Sequence, residues 1–262
     1  MIFLKGVVVT VTAIITGASS GLGREFALQL KKTYPHIESF WLIARRKERL
    51  EELAEELGKE ACFVLPLDLT KEEDLRQFKD VLSDTQPEIA YLINNAGFGK
   101  LGNFAHTPAS VSQSQVRLNC EGMTAVAALC LPYMNKGSQI INTASIASFA
   151  PNPRLTVYSA TKAYVYHFSR GLRYELAHQG IHVLAVCPGP MDTEFLSVAS
   201  IEKGASHTFD TLPRVLPAHL VRHALIASKK GKAVYTDRFF YRFYHLLCKI
   251  LPTSWILHLS KA

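Results

Sequence analysis

Stretches with the period of a strand alternate with stretches that carry the 3.6-residue period of a helix. Val7 to Thr16 is rich in β-branched residues and stops at Gly17; Leu22, Phe26, Ala27 and Leu30 then recur at helical spacing, so a strand leads into a helix that begins near Gly21. Phe40 to Ala44 repeats the strand, and Leu50, Leu53, Ala54 and Leu57 form one face of a charged helix that Gly58 stops. A third strand (Ala61 to Leu67) precedes a helix from about Lys71 to Leu82. A fourth, Ala90 to Ile93, runs into Asn94-Asn95-Ala96-Gly97 and a long, largely uncharged helix from about Pro108 to Met134. Gln139 to Thr143 is followed by a helix from about Thr156 to His178, and His182 to Val186 ends at Pro188-Gly189. Parallel strands need helical crossovers of one hand, so the repeat predicts an α/β chain: a single doubly wound, Rossmann-type parallel sheet of about seven strands with helices on both faces. In such sheets ligands bind beyond the carboxyl ends of the strands.

Composition agrees with one large domain. The 262 residues are 48% hydrophobic and 19% charged, which supplies a sizeable core and excludes a disordered chain. The longest charge-free runs, Gly6 to Gly23 and Gly137 to Pro153, are interrupted by Thr, Ser, Gly, Asn or Pro, and neither reads as a membrane span of ~20 apolar residues. Val7 to Ile15 runs into a glycine motif where a signal peptide would need a cleavage site, so it reads as a strand. Five widely spaced cysteines (Cys62, Cys120, Cys130, Cys187, Cys248) without a CxxC or zinc-type cluster predict reduced thiols, a cytoplasmic location and no metal site. Of the net charge of +7, +6 lies between Lys229 and Ala262. The nearly neutral body argues against a nucleic-acid-binding domain, which needs a basic face on the folded unit.

Thr16-Gly17-Ala18-Ser19-Ser20-Gly21-Leu22-Gly23 sits between the first strand and its helix. Gly17 allows a tight turn, Gly21 a close approach of backbone to a pyrophosphate, and Gly23 close packing of helix on strand, while the helix N-terminus offers N–H groups to an anion. At the end of the second strand, where an NAD enzyme would place an acid on the ribose, this chain has Ala44-Arg45-Arg46. An arginine can hold a 2′-phosphate bidentately, so NADP(H) is favoured over NAD(H), with Arg45 the first candidate and Arg46 the second.

Tyr158 and Lys162 lie four residues apart at the start of a predicted helix, on one face of it, and Ser145 ends the fifth strand. A cation beside a phenol favours phenolate, so the pair can move protons, and Ser145 can hydrogen-bond a substrate oxygen. With the glycine turn, Asn94-Asn95-Ala96-Gly97, Asn119 and Pro188-Gly189, these residues resemble the classical short-chain dehydrogenase/reductase family from about Thr12 to Tyr235. The resemblance implies that Tyr158 is the general acid/base and that Ser145 orients and polarises the carbonyl. It further implies that Lys162 binds the nicotinamide ribose and lowers the tyrosine's pKa, and that Asn119 holds a water linking Lys162 to solvent. By the same resemblance Ser19, Ser20 and Leu22 share the glycine loop with Gly17, Gly21 and Gly23 around the cofactor. Asp68 and Leu69 would contact adenine, Asn95, Ala96 and Gly97 the adenosine side, and Pro188, Gly189 and Thr193 the nicotinamide end. The stretch before about Thr12 is longer than the family usually has, and the tail after Thr236 has no counterpart in its smallest members. His219 and His223, four apart, lack a third ligand nearby and read as surface or core histidines.

The chain is thus expected to be organised as a cofactor-binding and catalytic unit over residues 1–236, with a substrate lid at about 194–217, and an amphipathic helical extension over 237–262. The expected activity interconverts a secondary alcohol and a ketone. Phe195, Leu196, Val198, Ile201, Phe209 and Leu212 in the lid favour a hydrophobic substrate, a hydroxysteroid or bile acid first. A 3-oxoacyl chain on a carrier protein comes second, kept open by Lys100, Arg154, Lys203 and Arg214, and a non-catalytic nucleotide-binding scaffold is the rival from another class. The family resemblance also implies a homodimer or homotetramer. In the extension, Arg238, Arg242, His245 and Lys249 predict a basic face with Phe239, Phe240, Phe243, Tyr244, Leu246, Leu247, Ile250 and Leu251 opposite it. Three uses compete for such a helix: packing on the body or a sister subunit, covering the substrate site, or peripheral contact with an anionic membrane. Packing is the first expectation.

Overall fold

The computed structural model describes residues 10–200 and 210–259. Strands β1 (Val11–Thr16), β2 (Ser39–Ala44), β3 (Cys62–Pro66), β4 (Glu88–Asn94), β5 (Gln139–Thr143), β6 (His182–Val186) and β7 (Val234–Tyr235) pair in parallel in the order β3-β2-β1-β4-β5-β6-β7. Helices α1 (Gly21–Thr33), α2 (Lys47–Leu57), α3 (Glu72–Thr85), α4 (Ala109–Val116), α5 (Met123–Cys130), α6 (Thr156–Leu176) and α8 (Pro217–Lys229) flank the sheet, and a short α7 (Glu194–Val198) follows β6. This is the doubly wound sheet that the alternation predicts.

Successive side chains of a strand point to opposite faces, and because helices cover both, the central strands carry apolar residues without interruption. Ala13 and Ile15 of β1 pack with Phe26, Leu30, Leu53, Leu220 and Leu225 on one face. Ile14 between them packs with Phe78, Leu82, Val126, Cys130 and Leu176 on the other. Burying side chains of this size removes roughly 1.5–3 kcal/mol of unfavourable hydration each. A buried polar chain fixes α6 against the sheet: Asn94 Nδ2 donates to Asn142 Oδ1 at 3.0 Å, and Asn142 Nδ2 donates to Ser169 Oγ at 2.9 Å.

Two features depart from the sequence reading. The helix expected from Pro108 to Met134 is interrupted between α4 and α5 by a π-helical turn, Arg117–Gly122. There Gly122 passes the loop after β3 so closely that a Cβ would lie 2.6 Å from the Leu69 carbonyl oxygen. The second departure is the extension, which forms α9 (Phe239–Ile250) and α10 (Thr253–Leu259). His245, expected on the basic outer face, turns inward: it stacks on Phe149 with ring centroids 4.1 Å apart and meets the Tyr166 hydroxyl at 3.0 Å. The apolar residues divide instead. Tyr241 is fully buried in the body's core, whereas Phe239, Phe243, Leu246 and Ile250 are exposed. Helical spacing ranked one polar stripe, but the aromatic and aliphatic residues nearly encircle this helix, and the body takes the side that offers rings to stack on. Val7 to Val9 of the first expected strand, the lid residues Ile201, Lys203 and Phe209, and the Val198 side chain lie outside the described residues.

Candidate active site

At the carboxyl edge of the sheet, a cleft of about 1060 Å³ crosses the point between β1 and β4 where strand order reverses. Its floor is built by the loops after β1 and β4, clasped by one side chain. Thr16 Oγ1 accepts hydrogen bonds from the Asn95 and Ala96 backbone N–H groups, each at 3.0 Å. Gly17 takes φ +65°, and a Cβ there would lie 2.9 Å from the Ala96 backbone; a Cβ on Gly23 would run into the Gly17 carbonyl oxygen. Only glycine permits both approaches. Ser20 begins α1 without a side-chain cap, leaving the first-turn N–H groups of α1 to an anion in the cleft.

One end of the cleft is cationic. Arg45 and Arg46 both line it. Arg46 Nη2 donates to Ser19 Oγ at 3.1 Å, Ser20 Oγ at 3.0 Å and Glu194 Oε2 at 2.8 Å. That guanidinium holds the Glu194 carboxyl below the usual carboxylate range, with the Ser20 hydroxyl adding to the effect. Asp68 and Leu69 border the cleft beside Ile43 and Thr70, and Asp68 Oδ1 accepts from Thr70 Oγ1 at 2.7 Å.

The other end gathers the proton-handling groups. Tyr158 and Lys162 stand on the first turns of α6 and Ser145 follows β5; all three border the cleft. Burial pushes the Tyr158 phenol up to about 12, and the hydrogen bond from Ser145 works against that rise. Burial lowers the Lys162 ammonium to about 8. Lys162 Nζ donates to the Thr143 carbonyl oxygen at 2.6 Å and lies 5.9 Å from the centre of the Tyr158 ring. In this arrangement the Ser145 hydrogen bond favours the phenolate.

Gly21, Leu22, Asn95, Ala96, Gly97, Pro188, Gly189 and Thr193 also line the cleft. Gly23 and Asn119 do not: Gly23 packs beneath the loop, and Asn119 stands behind the wall on the π-helical turn. Asn119 Oδ1 accepts from Phe98 N–H at 3.0 Å, while Nδ2 donates to Phe98 O at 2.8 Å and to Thr161 Oγ1 at 2.9 Å. Its side chain thereby ties the loop after β4 to α6 beside Lys162.

Sequence reasoning missed Glu194, which no local pattern links to Arg46; covering the substrate site was one of the three uses it left open for the extension, and α9 does form part of the wall. Phe240, Tyr244 and Leu247 line the cleft at i, i+4 and i+7, a spacing visible in the sequence but shared with other faces of the same helix. His219 Nδ1 lies 3.3 Å from Asp237, and His223 Nδ1 is 2.8 Å from the His219 carbonyl oxygen. Among the described residues no three His, Cys, Asp or Glu are grouped to hold a metal ion. The glycine cradle, the free helix N-terminus and the adjacent arginines fit a dinucleotide bearing a 2′-phosphate.

A family model described as short chain dehydrogenase matches residues 11–203. An uncharacterised oxidoreductase of Staphylococcus aureus (strain USA300) is 32% identical over 183 residues, covering 69% of this chain and 78% of that protein. Among solved structures, a short-chain dehydrogenase from Sphingobium yanoikuyae in complex with NADPH is 31% identical with a TM-score of 0.77, covering 93% of this chain and 97% of that one. The bulky-bulky ketone specific alcohol dehydrogenase from Comamonas testosteroni is also 31% identical, with a TM-score of 0.72 and coverage of 93% and 95%.

Proposed function

The chain belongs to the short-chain dehydrogenase/reductase family, and on that premise we propose that it is an NADP(H)-dependent oxidoreductase that interconverts a bulky, apolar ketone and its secondary alcohol. The observation that carries this reading is the continuity of the cleft: it runs from Arg45 and Arg46 to Ser145 and Tyr158, and there its walls become Leu155, Phe195, Leu212, Phe240, Phe243 and Leu247. Such walls suit an apolar body, whereas a sugar's hydroxyls would be left without partners. The likeness to the NADPH-bound Sphingobium protein and to the Comamonas alcohol dehydrogenase supports the cofactor and the bulk of the substrate.

When bound, NADPH supplies a hydride to the carbonyl carbon. Tyr158 gives its phenolic proton to the carbonyl oxygen, so ketone, hydride and proton together make the alcohol. Its raised pKa keeps the phenol protonated at neutral pH, the form that reduction needs. Ser145 Oγ, within hydrogen-bond reach of that phenol, steers the same oxygen. Lys162 holds a positive charge beside the reacting groups and would bind the nicotinamide ribose, while Asn119 fixes the Phe98 backbone next to it. Alcohol oxidation runs these proton movements backwards.

Within this class a hydroxysteroid or bile acid is our first choice, because a rigid polycyclic skeleton fills an apolar cleft with little loss of conformational entropy. Steady-state kinetics with NADPH or NADP over steroids, bile acids, bulky aryl ketones, acyl thioesters and sugars test it. The expected order puts bulky apolar compounds first. A short acyl thioester or a polyol with kcat/KM tenfold above all of them overturns the substrate class.

A further inference from the structure

We propose that the outer face of α9 and α10 docks on an anionic lipid surface and sets the mouth of the substrate cleft against it. The inner face of α9 is committed to the body: the Tyr241 ring lies on Gly189, its hydroxyl donates to the Pro213 carbonyl oxygen at 2.6 Å, and His245 stacks on Phe149. What remains outward is apolar on successive turns. Phe239 is 82% exposed, Leu246 51%, Ile250 69% and, on α10, Trp255 64%. Large rings and aliphatic chains concentrated on one segment are costly in water and mark a contact surface.

Charge decides between the occupants of that surface. Arg238, Arg242 and Lys249 stand exposed among these apolar residues, and from Arg238 to Ala262 the sequence contains no Asp or Glu. Arg238 and Arg242 donate to the backbone carbonyl oxygens of Arg214 and Thr236, which cancel no charge. A two-fold contact with a second copy would set this patch upon itself, cations against cations with no acid in the segment. Anionic headgroups supply the missing counter-charge, and Trp and Phe side chains suit the headgroup boundary. Among the described residues no helix is long and apolar enough to cross a membrane, so the contact is interfacial. Phe240 and Phe243 line the cleft and are each about half exposed, which places the mouth on the same side as the patch. The inference does not depend on the reaction assigned above.

Flotation of the full-length protein with vesicles of phosphatidylglycerol and phosphatidylcholine, or of phosphatidylcholine alone, tests the proposal. The protein should float with the anionic vesicles at low salt and be released at high salt. F239S/I250S/W255S, none of which borders the cleft, should cut the bound fraction at least tenfold while leaving the melting temperature and the turnover of a water-soluble ketone unchanged. R242E/K249E should cut binding to anionic vesicles alone. Failure of the wild-type protein to float, or variants that float as well as it does, overturns the proposal. So does a wild-type dimer that F239S/I250S/W255S converts to monomer in sedimentation velocity without any vesicle binding, which would make the patch a subunit contact.

Discussion

Burial works against the charge of Lys162, lowering its pKa from 10.5 to about 8. Below pH 8 the folded protein must keep this ammonium out of water. Between pH 8 and 10.5 the folded state releases the proton that the unfolded chain still holds, so this residue's contribution makes the protein more stable as pH rises through that window. Lys162→Met should therefore abolish turnover yet raise Tm at pH 7 by about 3 °C, the shift that on the order of 1 kcal/mol gives in a chain of this size. Thermal scans should show the advantage shrinking from pH 8 to 10; a Tm below wild type at pH 7 would mean that the 2.6 Å bond to the Thr143 carbonyl outweighs desolvation. Tyr158, Lys162 and Ser145 were legible because their chemistry suits proton transfer and because, together with the glycine turn, they resemble one family. Their electrostatics were not, since the direction of Lys162 Nζ depends on a carbonyl 19 positions away. Arg46 is a similar case: the sequence ranked Arg45 before it, and only the fold shows that Arg46 reaches both serines of the glycine loop.

α7 is latched to that loop by the Arg46–Glu194 ion pair, across 148 positions of sequence. If a 2′-phosphate takes the Nη2 edge of Arg46, it displaces the carboxylate, and Glu194 is then expected to compete with the cofactor for that guanidinium. Glu194→Gln weakens the competitor while keeping its size. NADPH should then bind about twofold to fivefold more tightly, the range of an exposed ion pair of ~0.4–1 kcal/mol, with NADH unchanged. Fluorescence titration of both cofactors measures this, and equal changes for the two would show that Glu194 does not compete. Elements as such were legible from periodicity. The side of α9 that faces inward was not, because Phe149 and Tyr166, which receive His245, lie 96 and 79 positions away. The π-helical turn had no signal of its own: Gly122 marks it only once the Leu69 carbonyl is known to pass beside it.

For the whole molecule, the alternation of strand and helix was enough to give the sheet, because a parallel sheet with both faces covered leaves few other arrangements. The boundaries of the cleft were less legible, since it draws on loops from both halves of the sheet and on α9. A ligand that spans it links β2, β1, β4, β5 and β6, so binding should stabilise the chain as a unit. NADPH at a hundredfold excess over its Kd corresponds to ~2.7 kcal/mol, or a rise of about 5–10 °C in Tm. NADH at the same concentration should give a clearly smaller rise, because it offers nothing to Arg45 and Arg46; equal rises would remove the arginine pair from cofactor choice. The placement of α9 also orders events during synthesis. Every strand of the sheet precedes it in the chain, and at about 5–20 residues per second the stretch from Thr236 to Leu259 takes roughly one to five seconds to make. Over that interval a nascent chain has all the loops that face the dinucleotide but lacks one wall of its substrate chamber. The ribosome therefore delivers the nucleotide-facing loops first and the α9 wall of the substrate chamber afterwards.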